Sequence, residues 1–377
     1  MIPFREPIYI TRPLLPPLAA VTARLQEVWD SRWLTNNGVQ HGRLETALRE
    51  YLDVPELALF SSGTTALMTA LKALDLGGEV ITTPFTFPAT PHVLAWTGIT
   101  PVFADVDPVR LTLDPRRVEE AITPRTTGIL GVHVYGLPCD VDGLQRVADS
   151  HGLHLAYDGA HAFGTTVRGA GIATFGDMTM FSFHATKLFH TAEGGALACR
   201  NREQRARIDL LKNFGIVGPE TVSCVGINGK MNEVQAAIGL VVLDCLQGEI
   251  AARKALLDLY RGLLGNVEGI TIVPEVPDVG SNHQYCAIRI DERRFGCSRD
   301  EVHLELQKYN VISRKYFYPL CSDYPFYRDL PSADPARLPV AQEAAKQVLC
   351  LPLYGTLDPA TVECICEIVA TLQGCAT

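Results

Sequence analysis

Residues 153–158 read Leu-His-Leu-Ala-Tyr-Asp, a short and mainly apolar run that ends in a carboxylate, Asp158. Residues 178–187 repeat this arrangement, because the run Met-Thr-Met-Phe is followed by Ser182 and then by Lys187. Short apolar runs bounded by polar or turn residues are typical of buried strands. The two stretches therefore predict two buried strands, with polar side chains at and beyond their carboxyl ends.

The same pattern continues on both sides of this pair, and helical segments alternate with the apolar runs. Continuous apolar strands separated by helices predict a mainly parallel sheet covered on both faces, hence an α/β fold. Ligands bind such sheets at the carboxyl ends of the strands. The other predicted strands are 57–60, 80–83, 102–104, 128–132 and 195–199, and the predicted helices include 64–74, 88–96, 115–121 and 141–150.

The last third of the chain has a different organisation. A helical pattern runs from about residue 232 to residue 264, and Gly248 predicts a break in it. Beyond this helix, a strand pattern over 285–290 mixes with helical patterns, without a low-complexity linker. We expect a large domain over 1–249 and a smaller α+β domain over 250–377, packed together. The helical patterns of the second part are 299–309, 340–348 and 359–372.

Composition excludes several classes of protein. The 377 residues carry a formal net charge of −9, which gives no support to a nucleic-acid or anionic-membrane partner. The sequence has no signal-peptide pattern and no run of roughly 18 uninterrupted apolar residues, so we expect a cytoplasmic protein. The 11 cysteines include no Cys-x-x-Cys pair. We expect them to be small buried hydrophobes and expect no metal site.

Asp158 and Lys187 form a combination with a specific chemical use. Alone, Asp158 fits a carboxylate that caps the following turn, and Lys187 fits a solvated surface lysine. Together, beyond two strand ends, they can hold pyridoxal phosphate at two points. The amine forms a Schiff base with the aldehyde, and the carboxylate keeps the pyridine nitrogen protonated, so that the ring accepts electrons. The pair therefore predicts an aminotransferase.

Residues 61–67, SSGTTAL, predict a site for the cofactor phosphate. They follow the first strand and open a helix, whose first N–H groups attract an anion. Thr64 and Thr65 add hydroxyl donors, and Ser182 lies at the same edge of the sheet. The alternative is a helix that is merely capped by a hydroxyl.

Three further residues each allow two interpretations. Phe87, in the segment after a strand, fits stacking on a flat ring or packing in the core. His161 fits a hydrogen bond to a phenolic oxygen of the cofactor or packing within its loop. Asn228 lies in a turn rich in Gly, Asn and Lys, which either only precedes a helix or also presents donors to an anion.

In consistent order, from about residue 10 to beyond 350, these segments resemble the DegT/DnrJ/EryC1/StrS family. Its members are pyridoxal phosphate-dependent nucleotide-sugar aminotransferases of fold type I. The resemblance implies a seven-stranded, mostly parallel sheet with a small C-terminal domain. The matching motifs are WLTNNG (33–38), SSGTTAL (61–67), TPFTFPAT (83–90), VHVYG (132–136), YDGAHAFG (157–164), SFHATK (182–187), EGG (193–195), GINGKMNEVQAAIG (226–239) and RKYFYPL (314–320).

The resemblance also implies a role for each candidate residue. Lys187 is the implied Schiff-base lysine, and Asp158 is the implied partner of the pyridine nitrogen. Ser182, Thr64 and Thr65 are implied to hold the cofactor phosphate.

The remaining roles concern the cofactor ring, the second subunit and the substrate. The resemblance implies that Phe87 stacks on the ring and that His161 contacts it near the 3′-oxygen. It implies that Asn228 reaches the phosphate of the neighbouring subunit's cofactor, so that a homodimer is the active unit. Candidates for contact with the sugar or nucleotide are Trp33, Asn36, His184, His190, Lys230, Arg314 and Tyr316.

Two departures from the common family pattern refine the expected substrate. Many members have glutamine at the position of His161 and arginine at that of Lys230. The combination in this chain looks most like the subgroup that acts on C4 of a dTDP-4-keto-6-deoxyhexose, with L-glutamate as the amino donor. Some relatives replace the Schiff-base lysine with histidine and are dehydratases, whereas this chain retains Lys187.

Three other functions stay open at this point. The first is a 3-aminotransferase of the same family, and the second is a non-catalytic regulator that binds pyridoxal phosphate. The third, a nicotinamide-dependent dehydrogenase, is disfavoured because no Gly-x-Gly-x-x-Gly pattern follows the first strand.

Overall fold

A seven-stranded sheet forms the centre of the computed structural model, which describes residues 2–374. The apolar runs of the sequence form its strands because both faces of the sheet are covered by helices. Within the described residues the strands are β1 (Glu56–Phe60), β2 (Glu79–Thr82), β3 (Thr100–Phe103), β4 (Thr126–Val132), β5 (His154–Asp158), β6 (Thr166–Val167), β7 (Ala170–Gly171), β8 (Met178–Ser182), β9 (Gly195–Cys199), β10 (Ile216–Gly218), β11 (Thr221–Val222), β12 (Ile270–Ile272), β13 (Val279–Gly280), β14 (Cys286–Ile290) and β15 (Val348–Leu351).

The helices begin at polar caps in most cases. Ser62, Asp140 and Asn232, for example, each accept a hydrogen bond from a first-turn amide of the helix that follows. Within residues 2–374 the helices are α1 (Leu18–Ser31), α2 (Val39–Tyr51), α3 (Gly63–Ala73), α4 (Ala89–Trp96), α5 (Pro115–Glu120), α6 (Val141–His151), α7 (Arg202–Leu211), α8 (Glu233–Leu264), α9 (Glu292–Phe295), α10 (Arg299–Lys308), α11 (Pro339–Gln347) and α12 (Pro359–Thr371).

The order of the central sheet is β1-β9-β8-β5-β4-β2-β3. Only β9 runs antiparallel to its neighbours in this sheet, so the predicted α/β fold with a mainly parallel seven-stranded sheet is confirmed. In the pairing of β5 with β8, Asp158 is opposite Met180. Ser182, two residues further along β8, therefore projects just beyond Asp158 at the same carboxyl edge.

Helix α8 is continuous over 32 residues, and the break expected at Gly248 was wrong. A side chain at Gly248 would meet open space, so the glycine lies on the outer face, where it interrupts no packing. Buried residues on both sides of it hold the helix together, which offsets the cost of about 1 kcal/mol for a glycine in a helix interior. By length and composition alone α8 could cross a membrane, but 44% of its most apolar window is buried in the protein.

A second unit follows the middle of α8 and surrounds the antiparallel sheet β12-β14-β15. The first residues of the chain pack on this unit: the Phe4 amide donates to Tyr309 O, and Ile8 pairs with Val311. The last turns of α8, from Leu256 to Leu264, contribute apolar side chains to the same core. The division into 1–249 and 250–377 stays a prediction, because α8 runs through the boundary and residues 1 and 375–377 lie outside the described range.

The cysteines within residues 2–374 match the expectation of small hydrophobes in most cases. Seven of these ten are buried and none forms a disulfide, while Cys375 lies outside the described residues. The described residues contain no cluster of His, Cys, Asp and Glu that could hold a metal ion.

Candidate active site

A cavity of about 340 Å³ opens at the carboxyl edge of the central sheet. Its floor is formed by the ends of β5 and β8, one side by the start of α3, and another side by the C-terminal unit. Polar groups from these elements converge on it, namely Ser62, Thr64, Asp158, His161, Ser182 and Lys187. Aromatic side chains form much of the remaining wall, namely Phe87, Tyr285, Tyr316 and Phe317.

Asp158, the last residue of β5, is buried at the bottom of this cavity. Its Oδ2 accepts a hydrogen bond from Thr90 Oγ1 at 2.8 Å, and its Oδ1 accepts one from the Ala160 amide at 3.0 Å. Burial raises the pKa of the Asp158 carboxyl, while the two hydrogen bonds and the nearby Lys187 oppose that rise. The Asp158 carboxylate is thus shielded from water, and a cationic group of a ligand is strongly favoured beside it.

Lys187 lies in the turn that follows β8, where its amide donates to His184 O at 2.8 Å. Burial lowers the pKa of the Lys187 amine to about 8, although the Asp158 carboxylate acts in the opposite direction. Among residues 2–374, no group forms a hydrogen bond or a close ion pair with this amine. The amine is therefore accessible to a ligand and partly unprotonated near neutral pH, as a nucleophile must be.

His161 forms part of the wall between Asp158 and the aromatic residues. Its Nδ1 accepts a hydrogen bond from the Tyr135 amide at 3.3 Å, so the ring proton of the neutral form is on Nε2. Burial, together with the charge of Lys187, lowers the pKa of His161 well below its usual range. Phe317 stacks on the ring at 5.9 Å between centroids. His161 is therefore a neutral hydrogen-bond donor with a fixed orientation.

The start of α3 approaches Ser182 closely enough to form a cradle. A Cβ atom added at Gly63 would lie 3.0 Å from Ser182 Cβ, so that only glycine fits there without a shift. Thr64 and Ser182 line the cavity, and their contact with a phosphate stays a prediction. Thr65 does not line it, because its hydroxyl donates to Ser62 O at 2.9 Å within the helix cap.

The predicted substrate contacts separate into two groups. His184 and Tyr316 line the cavity, and His184 lies 3.5 Å from the carboxylate of Glu193 at the rim. Buried His190 does not line the cavity, because its Nε2 bonds to Leu14 O at 2.8 Å and its Nδ1 accepts from the Ala192 amide. The others lie outside the cavity, namely Trp33, Asn36, Lys230 and Arg314.

Asn228 also lies outside the cavity of its own chain. Its Oδ1 accepts a hydrogen bond from Lys230 Nζ at 2.8 Å, and its backbone pairs with Asn213. This segment is at the surface beside the strand hairpin β10–β11.

Several residues of the site were not predicted as site residues. Thr90 was named only as part of a motif, and no local pattern links it to Asp158, 68 residues away. Tyr285 begins the strand pattern over 285–290, and Phe317 lies in the segment RKYFYPL (314–320). A strand that begins with an aromatic residue gives no signal of a cavity wall.

Comparison with known proteins identifies the family. The profile of the DegT/DnrJ/EryC1/StrS aminotransferase family matches residues 19–370. This chain belongs to that family. It is 45% identical over 370 residues to the dTDP-4-amino-4,6-dideoxy-D-glucose transaminase of Escherichia coli, covering 97% of this chain and 98% of that protein. The enzyme described here is thus a sugar aminotransferase that depends on pyridoxal phosphate.

Two solved structures support the same assignment. The crystal structure of DesI in the presence of its TDP-sugar product matches with a TM-score of 0.95 and 36% identity, covering 100% of this chain and 95% of that one. A putative sugar aminotransferase from Streptococcus pneumoniae in its pyridoxal phosphate form matches with a TM-score of 0.90 and 26% identity, covering 97% and 98%. Fold type I is therefore confirmed.

The residues present suit this cofactor. The Gly63 cradle beside Ser182 accommodates an anion at a helix N-terminus, where the first amides have no acceptor within the helix. Asp158 supplies a buried carboxylate for a cationic ring nitrogen, and the Lys187 amine is free to react with an aldehyde. Phe87 is 59% exposed at the lip of the cavity, although it is a large aromatic residue, so its ring face is available for stacking.

The low pKa of Lys187 predicts how capture of the cofactor depends on pH. The unprotonated amine is the nucleophile, so the rate at which cofactor-free protein binds pyridoxal phosphate covalently is expected to rise about tenfold per pH unit and to level off above the pKa of about 8. Stopped-flow absorbance across this range measures the rate. A rate that still rises with full slope towards the ordinary lysine value of 10.5 would contradict the assignment.

Replacement of Thr90 by valine tests the support of Asp158. The change keeps the shape of the fully buried side chain but removes the donor to Asp158 Oδ2. A hydrogen bond to a charged group contributes about 1.5–3 kcal/mol, so we expect conversion of bound cofactor by L-glutamate to slow about tenfold or more in a single turnover. Thr69→Val removes another buried hydroxyl, whose one bond within residues 2–374 is to Thr65 O, and should leave this rate unchanged. Equal rates in the two variants would contradict the role of Thr90.

Proposed function

We propose that this enzyme transfers the amino group of L-glutamate to C4 of dTDP-4-keto-6-deoxyglucose. The products are dTDP-4-amino-4,6-dideoxy-D-glucose and 2-oxoglutarate. The observation that carries this proposal is the 45% identity, over nearly the full length of both chains, to the Escherichia coli transaminase named for that product. The likeness to DesI supports a thymidine nucleotide, because that structure contains a TDP-sugar product.

The residues of the cavity have different proposed roles in the two half-reactions. Pyridoxal phosphate, when bound, supplies an aldehyde and a ring that withdraws electrons from the carbon beside the nitrogen. In the first half-reaction the Lys187 amine would move the proton of the donor's α-carbon to the cofactor carbon that bears the nitrogen, and in the second it would move a proton from that carbon to C4 of the sugar. Asp158 would hold the ring nitrogen in its charged form, and neutral His161 would donate a hydrogen bond to the ring oxygen.

Further residues are proposed to hold the cofactor and the substrate. Thr64, Thr65 and Ser182 are assigned to the cofactor phosphate at the start of α3. Thr65 would have to exchange a bond to Ser62 for one to the phosphate, because its hydroxyl donates to Ser62 O and its amide donates to Ser62 Oγ. Phe87 is assigned to the ring face. The proposed contacts with the sugar and nucleotide are His184 and Tyr316 from the cavity and Trp33, Asn36, Lys230 and Arg314 from the surrounding surface.

We also propose that the active unit is a homodimer with shared sites. Trp96 and Val225 line one surface groove and are 81% and 93% exposed, and the nearby segment around β10 and β11 exposes three further apolar residues. We call the five residues the apolar patch: Trp96, Phe214, Val217, Val222 and Val225. Contiguous exposed apolar surface of this kind marks an interface. The patch adjoins the segment of Asn228, whose assigned role is to bind the phosphate in the partner's site.

Mixing two inactive variants tests the sharing of sites. Lys187→Ala should lack the reacting amine, and Asn228→Asp should repel the phosphate of the partner's cofactor. In a mixed dimer one site combines an intact Lys187 with an intact Asn228, so random exchange of subunits should restore roughly a quarter of wild-type activity.

The control for this mixture is Lys187→Ala combined with the double variant Lys187→Ala/Asn228→Asp, which should restore nothing. If Asn228 acted within its own chain, the first mixture would also stay inactive. Light scattering of the unmixed wild-type protein gives its oligomeric state directly.

Parallel assays with dTDP-4-keto-6-deoxyglucose and with its 3-keto isomer test which carbon is aminated. We expect turnover of the 4-keto sugar and little or none of the 3-keto sugar. Turnover of the 3-keto sugar alone would identify a 3-aminotransferase, and no conversion of L-glutamate with either sugar would favour a non-catalytic regulator.

We place the enzyme in the cytoplasm, where it would supply an amino sugar for a surface polysaccharide such as an O-antigen.

A further inference from the structure

A short segment of the C-terminal unit, residues 282–285, contacts both loops that carry the site. It lies directly before β14 and includes Asn282, Gln284 and Tyr285. Asn282 and Gln284 are almost completely buried, and Tyr285 forms part of the cavity wall. We call it the 282–285 segment.

Gln284 contacts the turn of the reacting lysine. Its Oε1 accepts a hydrogen bond at 2.9 Å from the amide of Leu188, the residue that follows Lys187. Leu188 is fully buried, so its amide has no access to water if this acceptor is lost. The side chain of Gln284 therefore fixes the backbone on the C-terminal side of Lys187, while His184 O accepts from the Lys187 amide itself.

Gln284 is itself held by a buried ion pair on α8. The backbone carbonyl oxygen of Gln284 accepts a hydrogen bond from Arg253 Nη1 at 3.2 Å, and Arg253 Nε donates to Glu249 Oε1 at 2.6 Å. The same oxygen of Glu249 accepts from the Gly355 amide at 2.8 Å. Arg253 is 1% exposed. A buried pair is weak evidence for stability, but it holds the groups bonded to it in a defined geometry.

Asn282 connects the same segment to the loop of His161. Its Nδ2 donates to His161 O at 2.8 Å and to Phe163 O at 3.1 Å, while its Oδ1 accepts from the Gln284 amide at 3.1 Å. Between the two, His283 adopts a φ of 52°, a conformation that is unfavourable for a residue other than glycine. Strained backbone of this kind persists where the surroundings fix it and is concentrated at functional sites.

We propose that Gln284 is a positioning residue for amino transfer: through the Leu188 amide it holds Lys187 at its place in the cavity. The inference rests on the proposed role of Lys187 in the reaction. Gln284 does not line the cavity, so its effect must pass through the turn of Lys187. Loss of the acceptor should let this turn move towards solvent, where the amine is better hydrated and easier to protonate.

The test measures the reactivity of Lys187 in the full-length, cofactor-free protein. An amine-specific reagent is applied at a series of pH values, and peptide mass spectrometry gives the labelling rate of Lys187. In the wild type the midpoint is expected at about 8. In Gln284→Leu we expect the midpoint to rise by about one pH unit and the affinity for pyridoxal phosphate to fall about tenfold.

Two further variants make the result specific. Gln284→Asn keeps the amide but is one methylene too short to reach Leu188, so it should reproduce the shift and can replace the leucine variant if that protein fails to fold. Gln347→Leu removes another glutamine acceptor of the same unit, which receives two hydrogen bonds from Arg289. Its midpoint should equal that of the wild type.

Unchanged midpoints in folded Gln284→Leu or Gln284→Asn would overturn the proposal, as would an equal shift in Gln347→Leu. The labelling involves no sugar, so an error in the proposed substrate would leave this result untouched. An error in the role of Lys187 would be visible separately, because borohydride reduction of the wild-type holoenzyme would then attach the cofactor to another peptide.

Discussion

Replacement of Lys187 by alanine is expected to lower turnover of the keto sugar by about 10³-fold or more. In the proposed reaction the amine both holds the cofactor covalently and moves the proton between two carbon atoms, and a positioned acid or base alone contributes about 10²–10⁴-fold. In this chain, no other residue among 2–374 combines an amine with a position in the cavity floor. Steady-state release of 2-oxoglutarate in the presence of both substrates measures the loss.

Lys254→Ala is a suitable control for this variant. Lys254 lies on α8 away from the cavity, where its amine pairs with Asp258 at 2.6 Å. This control should retain wild-type turnover. After borohydride reduction, the cofactor should remain on the peptide that contains residue 187 in the control and should be absent from that peptide in Lys187→Ala. Turnover above about a tenth of the wild type in Lys187→Ala would contradict a role in proton transfer.

Replacement of Asp158 by asparagine is expected to slow the half-reaction with L-glutamate by about 10²–10³-fold. The change keeps the size of the side chain but removes the negative charge, so the ring nitrogen loses its buried counterion. Each tenfold loss corresponds to about 1.4 kcal/mol of stabilisation, and breaking a buried charge pair costs about 3–5 kcal/mol. Loss of the carboxylate should also lower the pKa of the Lys187 amine below about 8, because the charge that raises it is gone.

The control for this change is Asp105→Asn. Asp105 is equally buried, but its carboxylate accepts hydrogen bonds from the Val340 and Ala341 amides at the start of α11. The control should lose stability in thermal unfolding and keep the rate of the half-reaction. A half-reaction in Asp158→Asn that is as fast as in Asp105→Asn would show that the cofactor does not depend on the Asp158 charge.

The sequence predicted the parts of the site that depend on strand periodicity. Asp158 and Ser182 follow apolar runs, and parallel strands bring such ends to one edge, so their proximity could be inferred without a structure. Lys187 and Thr64 follow from the same reasoning, because each lies just beyond a strand. The apolar pattern predicts each strand from its own residues, and the parallel pairing of the strands then brings their carboxyl ends to the same edge of the sheet.

Contacts between distant segments could not be predicted in this way. Thr90 reaches Asp158 from the first turn of a helix, and Gln284 reaches the turn of Lys187 from the other structural unit. Neither carries a periodic signal, since both depend on how separate elements pack. The prediction for Gly248 failed because a local signal was given too much weight. Glycine disfavours helices and was expected to break α8, but the packing of residues on both sides of it keeps the helix continuous.

The surface of a single chain explains why some predicted contacts lie apart. Trp33, Asn228 and Lys230 are outside the cavity of their own chain, and the apolar patch beside Asn228 is exposed. The proposed homodimer would account for both observations, because it would cover the patch and bring donors from one chain to the site of the other. Family motifs are read along one chain and give no direct view of such an arrangement.

The most direct test of the proposed function is product analysis with ¹⁵N-labelled L-glutamate and dTDP-4-keto-6-deoxyglucose. Nuclear magnetic resonance of the purified nucleotide sugar shows which carbon carries the label and whether the new amino group is equatorial or axial. We expect the label on C4 in the equatorial D-gluco configuration, with one equivalent of 2-oxoglutarate. A label on C3, an axial amino group, or unchanged keto sugar would contradict the proposed reaction.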